Sequence, residues 1–243
     1  CIVSPVYTAE PDPNFHLYLL VGQSNMAGRG KVDEASKRPH PRVLMFTKAL
    51  TWEPATDPLH FDKPSAGVGP GLAFGAALAD ARPKVRIGLI PCAVGGTSIK
   101  AWIPAADGKM GKSRLYDDMF ERTKVALTSG VLAGIIWHQG EADRGDSEQY
   151  GEQLTTLIAR LRKDLGRPEM PFVAGELTPF KPELAASTTA FNAVVQGLVG
   201  KIPHYACVSG ADLAHKGDAL HYDTAAAREL GRRYAEKMLA LEK

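Results

Sequence analysis

Apolar runs of strand length alternate with segments of helical period along most of the chain. HLYLLV (16–21) is a continuous apolar stretch, the pattern of a strand covered on both faces. Runs of the same kind recur at RVLMF (42–46), KVRIGLIPCA (84–93), VLAGIIWHQ (131–139), MPFVAGEL (170–177) and the short YACVSG (205–210). Between them, GPGLAFGAALADA (69–81) sets Leu72, Phe74, Ala76, Ala77 and Leu78 in helical register and stops before Pro83. LYDDMFERTKVALTSG (115–130) puts Leu115, Met119, Val125 and Ala126 on one face and ends at Gly130. DSEQYGEQLTTLIARLRKDLG (146–166) opens on Asp and Ser caps, carries Leu154, Leu157, Ile158 and Leu161, and closes on Gly166. STTAFNAVVQGLVGKI (187–202) reads as helical, as does DTAAARELGRRYAEKMLALEK (223–243), with Asp223 or Thr224 as its cap.

This β-α alternation predicts a parallel sheet with helices on both faces, and ligands beyond the carboxyl ends of its strands. Residues 1–14 hold three prolines and no amphipathic period, so they read as a tail. Residues 15–243 show no repeat or linker and read as one domain, a length that suits a single large core.

Composition narrows the picture by exclusion. Hydrophobic content of 44% and charged content of 23% are ordinary for a globular protein. The net charge of +2 is spread without a basic stripe, which argues against a nucleic-acid partner. No apolar run has the length of a membrane span. Cys1, Cys92 and Cys207 have neither metal-ligand spacing nor a CxxC pair, and the latter two sit in apolar segments as buried thiols would. Opening on Cys1 rather than Met suggests a processed product. The expectation is an extracytoplasmic protein: secreted, periplasmic or lipid-anchored through Cys1.

Chemistry concentrates where the strands end. The first strand runs into GQSNMAG (22–28), the third into CAVGGTSI (92–99), the fourth into WHQGEAD (137–143), and the last helix is preceded by KGDALHYD (216–223). A parallel sheet gathers all four at one edge. Ser24 follows a strand at an expected helix start, though not in a Gly-x-Ser-x-Gly elbow, because Met26 stands two residues on. A serine nucleophile needs a base and donors for the oxyanion. Asp218 and His221, three apart, can pair so that the carboxylate orients the imidazole. Asp212 and His215 stand nearby as a rival orienter and base. Gly96 can bring its N–H close to a ligand, and the Gln139 amide can donate beside it; with the Ser24 N–H these make an expected three-donor hole. A plain turn at Gly96 and a loop brace at Gln139 are the simpler readings. Glu141 and Asp143 read as braces on loop backbone, with Glu141 a lesser candidate for a second partner to His221. Trp102 is either a wall on which a sugar stacks or a buried anchor.

Together, GQSNMAG, GGTSI, WHQGEAD and DALH resemble the four blocks of the SGNH (GDSL-like) hydrolases, nearest to carbohydrate esterase family 6 and the sialate O-acetylesterase domain. The likeness runs from about His16 onward. Gln23 stands where the superfamily usually has an acid, and Gln139 where it has asparagine; both departures look like the acetylesterase branch. The resemblance implies a flavodoxin-like three-layer α/β/α sandwich around a mostly parallel sheet of five to six strands. It implies Ser24 as nucleophile, His221 as base, Asp218 as orienter, and Ser24, Gly96 and Gln139 lining the oxyanion hole. Gln23, Asn25, Glu141 and Trp102 would support the site or touch substrate. The implied reaction is removal of O-acetyl groups from carbohydrate, acetylxylan or similar, with no metal or cofactor. A sialate O-acetylesterase, a short-chain acyl esterase and a non-catalytic carbohydrate-binding protein on the same fold are the alternatives.

Overall fold

The computed structural model describes residues 10–103 and 114–242. Cys1 lies outside the described residues, as do positions 1–9 of the expected tail. Seven strands form one sheet: β1 (Asp12–Gly22), β2 (Val43–Phe46), β3 (Trp52–Pro54), β4 (Arg86–Pro91), β5 (Gly130–His138), β6 (Phe172–Gly175) and β7 (Tyr205–Val208). Their order is β3-β2-β4-β1-β5-β6-β7. Every pairing is parallel except that of β3, which returns antiparallel beside β2 and opposes Phe46 to Trp52. The sheet therefore has one strand more than the five to six expected, and that strand spans only three residues.

Helices α1 (Ser24–Ala27), α2 (Pro70–Ala81), α3 (Arg114–Ala126), α4 (Ser147–Asp164), α5 (Ala185–Gln196) and α6 (Thr224–Leu241) complete the chain. Side-chain alternation along β1 divides the core into two layers. Phe15, Leu17, Leu19 and Val21 pack with Met119 of α3, Leu154 and Leu161 of α4, and Phe191 of α5. Tyr18 and Leu20 point the other way, toward Phe74 and Leu78 of α2 and Leu230 and Tyr234 of α6. Pairing of period two in the strand with apolar stripes on the helices makes three layers out of the sequence pattern.

Local signals set most boundaries. Pro70 takes the first position of α2, where its missing N–H costs nothing. The Asp223 side chain accepts from Ala226 N at 2.8 Å and caps α6. Helix α5 stops at Gln196, earlier than the expected 202, and Gly197 takes its C-cap. Strand β1 begins at Asp12, inside the stretch read as tail. Pro13 is tolerated because the register slips between Asp12 and His16, so the ladder does not require its N–H. Among the described residues no helix is long and apolar enough to cross a membrane. Cys92 and Cys207 are unpaired and half-buried, and burial raises their thiols to about 12 and about 11.

Candidate active site

Strand β1 lies between β4 and β5, and its end is fastened on both sides. Gln23 N donates to His138 O at 2.9 Å, and Val94 N donates to Gly22 O at 2.9 Å. Gly22 has φ +133°, and a Cβ there would lie 2.1 Å from the His138 carbonyl oxygen, so only glycine lets the two strand ends meet. The chain then turns into α1. That helix is a single turn of four residues closed by Gly28 N to Ser24 O at 2.9 Å, shorter than the expected strand-to-helix transition. Ser24 is its first residue and is 8% exposed; its N–H has no acceptor within the helix.

The loop before α6 delivers the imidazole. His221 Nε2 is 3.0 Å from Ser24 Oγ, and His221 Nδ1 is 2.7 Å from Asp218 Oδ2. Asp218 Oδ1 also accepts from His221 N at 2.8 Å and Leu220 N at 3.0 Å, which folds the DALH segment around its carboxylate. Partial burial opposes ionisation of Asp218, but these hydrogen bonds from His221 and Leu220 outweigh it and hold the carboxyl well below its usual range. The rival pair is elsewhere. Asp212 binds Arg233 through two contacts at 2.6 and 2.7 Å. His215 Nδ1 accepts from Gly217 N and Ala219 N at 2.9 and 3.1 Å, so it shapes the loop rather than serving Ser24.

The glycine block sits against the serine. A Cβ on Gly95 would come 3.3 Å from the Ser24 Cβ and collide with the Arg29 guanidinium. Gly95 N donates to Asp62 Oδ2 at 2.9 Å, and Asp62 forms a buried ion pair with Arg29 at 2.8 Å. Burial opposes ionisation of Asp62, yet Arg29 and the Gly95 N–H keep its carboxyl below the ordinary value. Gly96, the next residue, has φ +79° and is exposed; no described acceptor takes its N–H. Arg29 and Asp62 gave no signal in the sequence, since the pair joins the end of one block to an unremarkable loop.

Gln139 departs from expectation. It is fully buried, and its Nε2 faces Asp143 Oδ2 at 2.5 Å, Thr97 O at 3.0 Å and Gln23 Oε1 at 3.3 Å. An amide nitrogen has two hydrogens, so three acceptors leave none free for an oxyanion. The side chain is a brace between blocks. Asp143 completes that brace by accepting from Ser98 Oγ at 2.5 Å and Ile99 N at 2.9 Å, the backbone contact expected of it. Glu141 does not reach His221; its Oε1 accepts from Asn25 Nδ2 at 2.6 Å. Burial pushes its carboxyl up, against the Asn25 hydrogen bond and the nearby Arg144 charge. Trp102 is also corrected as a sugar wall. It is 0% exposed, meets Trp137 edge-on at 5.7 Å and donates to Thr97 Oγ1 at 3.1 Å, so it is a buried anchor with no face to offer. Among the described residues no group of three or more His, Cys, Asp or Glu is disposed to hold a metal ion.

A hydroxyl beside an imidazole that is itself held by a carboxylate, with unengaged backbone N–H groups nearby, can carry out acyl transfer. Comparison with known proteins agrees with that chemistry. Residues 14–240 match the family model described as carbohydrate esterase, sialic acid-specific acetylesterase (SASA). The chain is 34% identical over 254 residues to the probable carbohydrate esterase At4g34215 of Arabidopsis thaliana, covering 95% of this chain and 92% of that protein. The solved structure of that Arabidopsis protein superposes with a TM-score of 0.82 at 33% identity, over 94% of this chain and 99% of the other. NanS shares the fold with a TM-score of 0.72 at 19% identity, over 96% of this chain and 98% of its own.

Proposed function

The chain belongs to the SASA family of carbohydrate esterases, as a carbohydrate acetylesterase, and from that premise we propose that it removes O-acetyl groups from sugar hydroxyls through a Ser24-His221-Asp218 triad. The observation that carries this reading is the continuous contact from Ser24 Oγ to His221 Nε2 at 3.0 Å and from His221 Nδ1 to Asp218 Oδ2 at 2.7 Å.

Ser24 Oγ attacks the acetyl carbonyl carbon as its proton passes to His221 Nε2. The resulting imidazolium is stabilised by ionised Asp218, whose hydrogen bonds keep it charged. The oxyanion is received by the N–H groups of Ser24 and Gly96, and a single such donor is typically worth about 3 kcal/mol of barrier. The ester C–O bond then breaks, and the sugar oxygen leaves with the proton from His221. Water repeats the sequence on the acetyl-serine: His221 takes its proton, the hydroxide oxygen adds to the carbonyl, and Ser24 Oγ departs protonated, releasing acetate.

Gln139 supports the reading from behind, by fixing Thr97 O and Asp143 and so the glycine block that presents Gly96. Acetate release from acetylated xylan, O-acetylated sialic acid and aryl acetates tests the proposal and ranks the substrates. The Ser24→Ala variant should release none and should no longer be labelled by a fluorophosphonate. Turnover surviving in that variant would overturn the assignment.

A further inference from the structure

Beside the Ser24-His221 pair lies a cavity of about 200 Å³ whose wall includes Asn25 and Leu220, the residues adjoining the serine and the histidine in sequence. It is enclosed by the loops after β5 and β6, by the start of α5, and by the loop before α6. That is where ligands collect on an open α/β sheet. Drug-sized pockets run to about 300–1,000 Å³, so this one is on the scale of a single ring.

Its polar wall is unfinished. Glu141, Arg144 and Thr188 all line it, and each carries a buried polar atom with no hydrogen-bond partner: Glu141 Oε2, Arg144 Nε and Thr188 Oγ1. Thr188 is 1% exposed, so bulk water does not supply the missing contact. Arg144 acts electrostatically on Glu141, yet no ion pair closes between them. Buried polar atoms are rarely left without partners, and three around one space mark a place for a polar guest. The lining also has an apolar part, which includes Phe180, Leu184 and Leu220. The vacant roles are an acceptor at Glu141, a donor at Arg144 and a hydroxyl at Thr188 that can do either. Apolar side chains together with mixed donors and acceptors in a cavity of this size suit a hydroxylated ring.

We propose that this cavity is a sugar subsite, in which one ring of the substrate places its hydroxyls against Glu141, Arg144 and Thr188. The proposal rests on the carbohydrate-esterase reading above and assigns these residues to binding rather than to chemistry. Ring hydroxyls bridge Glu141 and Arg144, which do not meet on their own.

Thr188→Val is the decisive variant, because it removes an unpartnered hydroxyl at nearly constant volume. Acetate release is followed on acetylated xylo-oligosaccharide, on O-acetylated sialic acid and on p-nitrophenyl acetate, together with the melting temperature. Loss of one hydrogen bond should raise KM for a sugar ester about 3- to 10-fold relative to the aryl ester, with kcat little altered. The melting temperature should hold or rise, since no folded-state hydrogen bond is lost. Arg144→Gln should give the same split, and the sugar ester affected shows whether a neutral or an acidic ring occupies the site. If both variants leave the sugar-to-aryl ratio untouched, the cavity holds only water and the proposal fails. A fall on all esters together with a lower melting temperature would make Thr188 structural and overturn it as well. Failure of the parent reading looks different: the unaltered enzyme would then hydrolyse aryl acetate but no acetylated sugar.

Discussion

Asn25 grips the backbone beside His221 across a sequence separation of 197: its Oδ1 accepts from Tyr222 N at 3.2 Å. Its Nδ2 donates to Leu220 O at 3.1 Å and to Glu141 Oε1 at 2.6 Å. The residue after the serine thereby holds the residues on either side of the histidine, and so braces the 3.0 Å contact between Ser24 and His221.

Replacing Asn25 by Ala should consequently cost both stability and rate. Three groups lose their partner, of which the Glu141 carboxylate is buried, and unsatisfied buried groups cost about 1–3 kcal/mol each before relaxation. Urea unfolding should register a loss in that range, and kcat should fall at least tenfold with KM less affected. An unchanged kcat would remove this clamp from the account of the site.

His221→Ala should lower kcat about 10⁶-fold, the scale seen when a triad histidine is removed. His215→Ala should stay within about tenfold of the parent, because His215 accepts from Gly217 N and Ala219 N in a solvent-exposed loop and meets the Phe180 ring edge-on, without touching Ser24. Measured side by side on an aryl acetate, equal damage from the two substitutions would reopen the identity of the base.

Gln139 and Asp143 should behave as one unit. Gln139→Ala and Asp143→Asn each break the bridge to Thr97 and Ile99 that fixes the glycine block. Each is expected to lower kcat about 10- to 100-fold, and the double variant should cost little beyond the worse single one. Simple additivity of the two effects on log kcat would mean that they act separately, and that Gln139 reaches the oxyanion after all.

Acidification should weaken the fold well before the carboxylates as a class are protonated. Burial holds His60 and His138 at about 4, against 6.5 for a free imidazole, while burial raises Asp57 from 3.8 to about 7. Between pH 4 and 6.5 the unfolded chain gains two histidine protons that the native chain lacks, and the native chain keeps one on Asp57 that the unfolded chain releases. His16, pushed down by burial, and Glu141, pushed up by it, contribute with opposite signs. The unfolded state binds more protons, the excess approaching one in mid-window, so stability rises with pH there by about 1 kcal/mol per unit and less steeply toward either end. Urea midpoints at pH 5 and pH 7 check the sign; greater stability at pH 5 would mean that a buried histidine is charged in the folded state.

What the sequence disclosed and what it hid follow from the range of the forces involved. HLYLLV is unbroken because β1 is covered on both faces, so its pattern alone announces a central strand. Asp218 and His221 were readable as a pair because they are three residues apart. Trp52–Pro54 offered no such signal: three residues are too few for alternation, and only the neighbouring β2 makes them a strand. Gln139 was visible as a polar residue at a strand end, but whether its amide faced substrate or protein depended on Thr97 and Asp143, which only folding brings to it. The same holds for Arg29 and Asp62, an ion pair spanning two loops whose meeting no local rule encodes.

Because β1 is paired on both edges while the DALH loop lies exposed, the two partners of the Ser24-His221 contact should differ in how often they let go. Amides of Leu17 to Val21 can exchange with solvent only when the middle of the sheet opens, whereas those of 217–221 are released by a local fluctuation of a few residues. Ser24 is then the stationary partner and His221 the one that comes and goes, so breathing of the site resets the imidazole without unseating the serine.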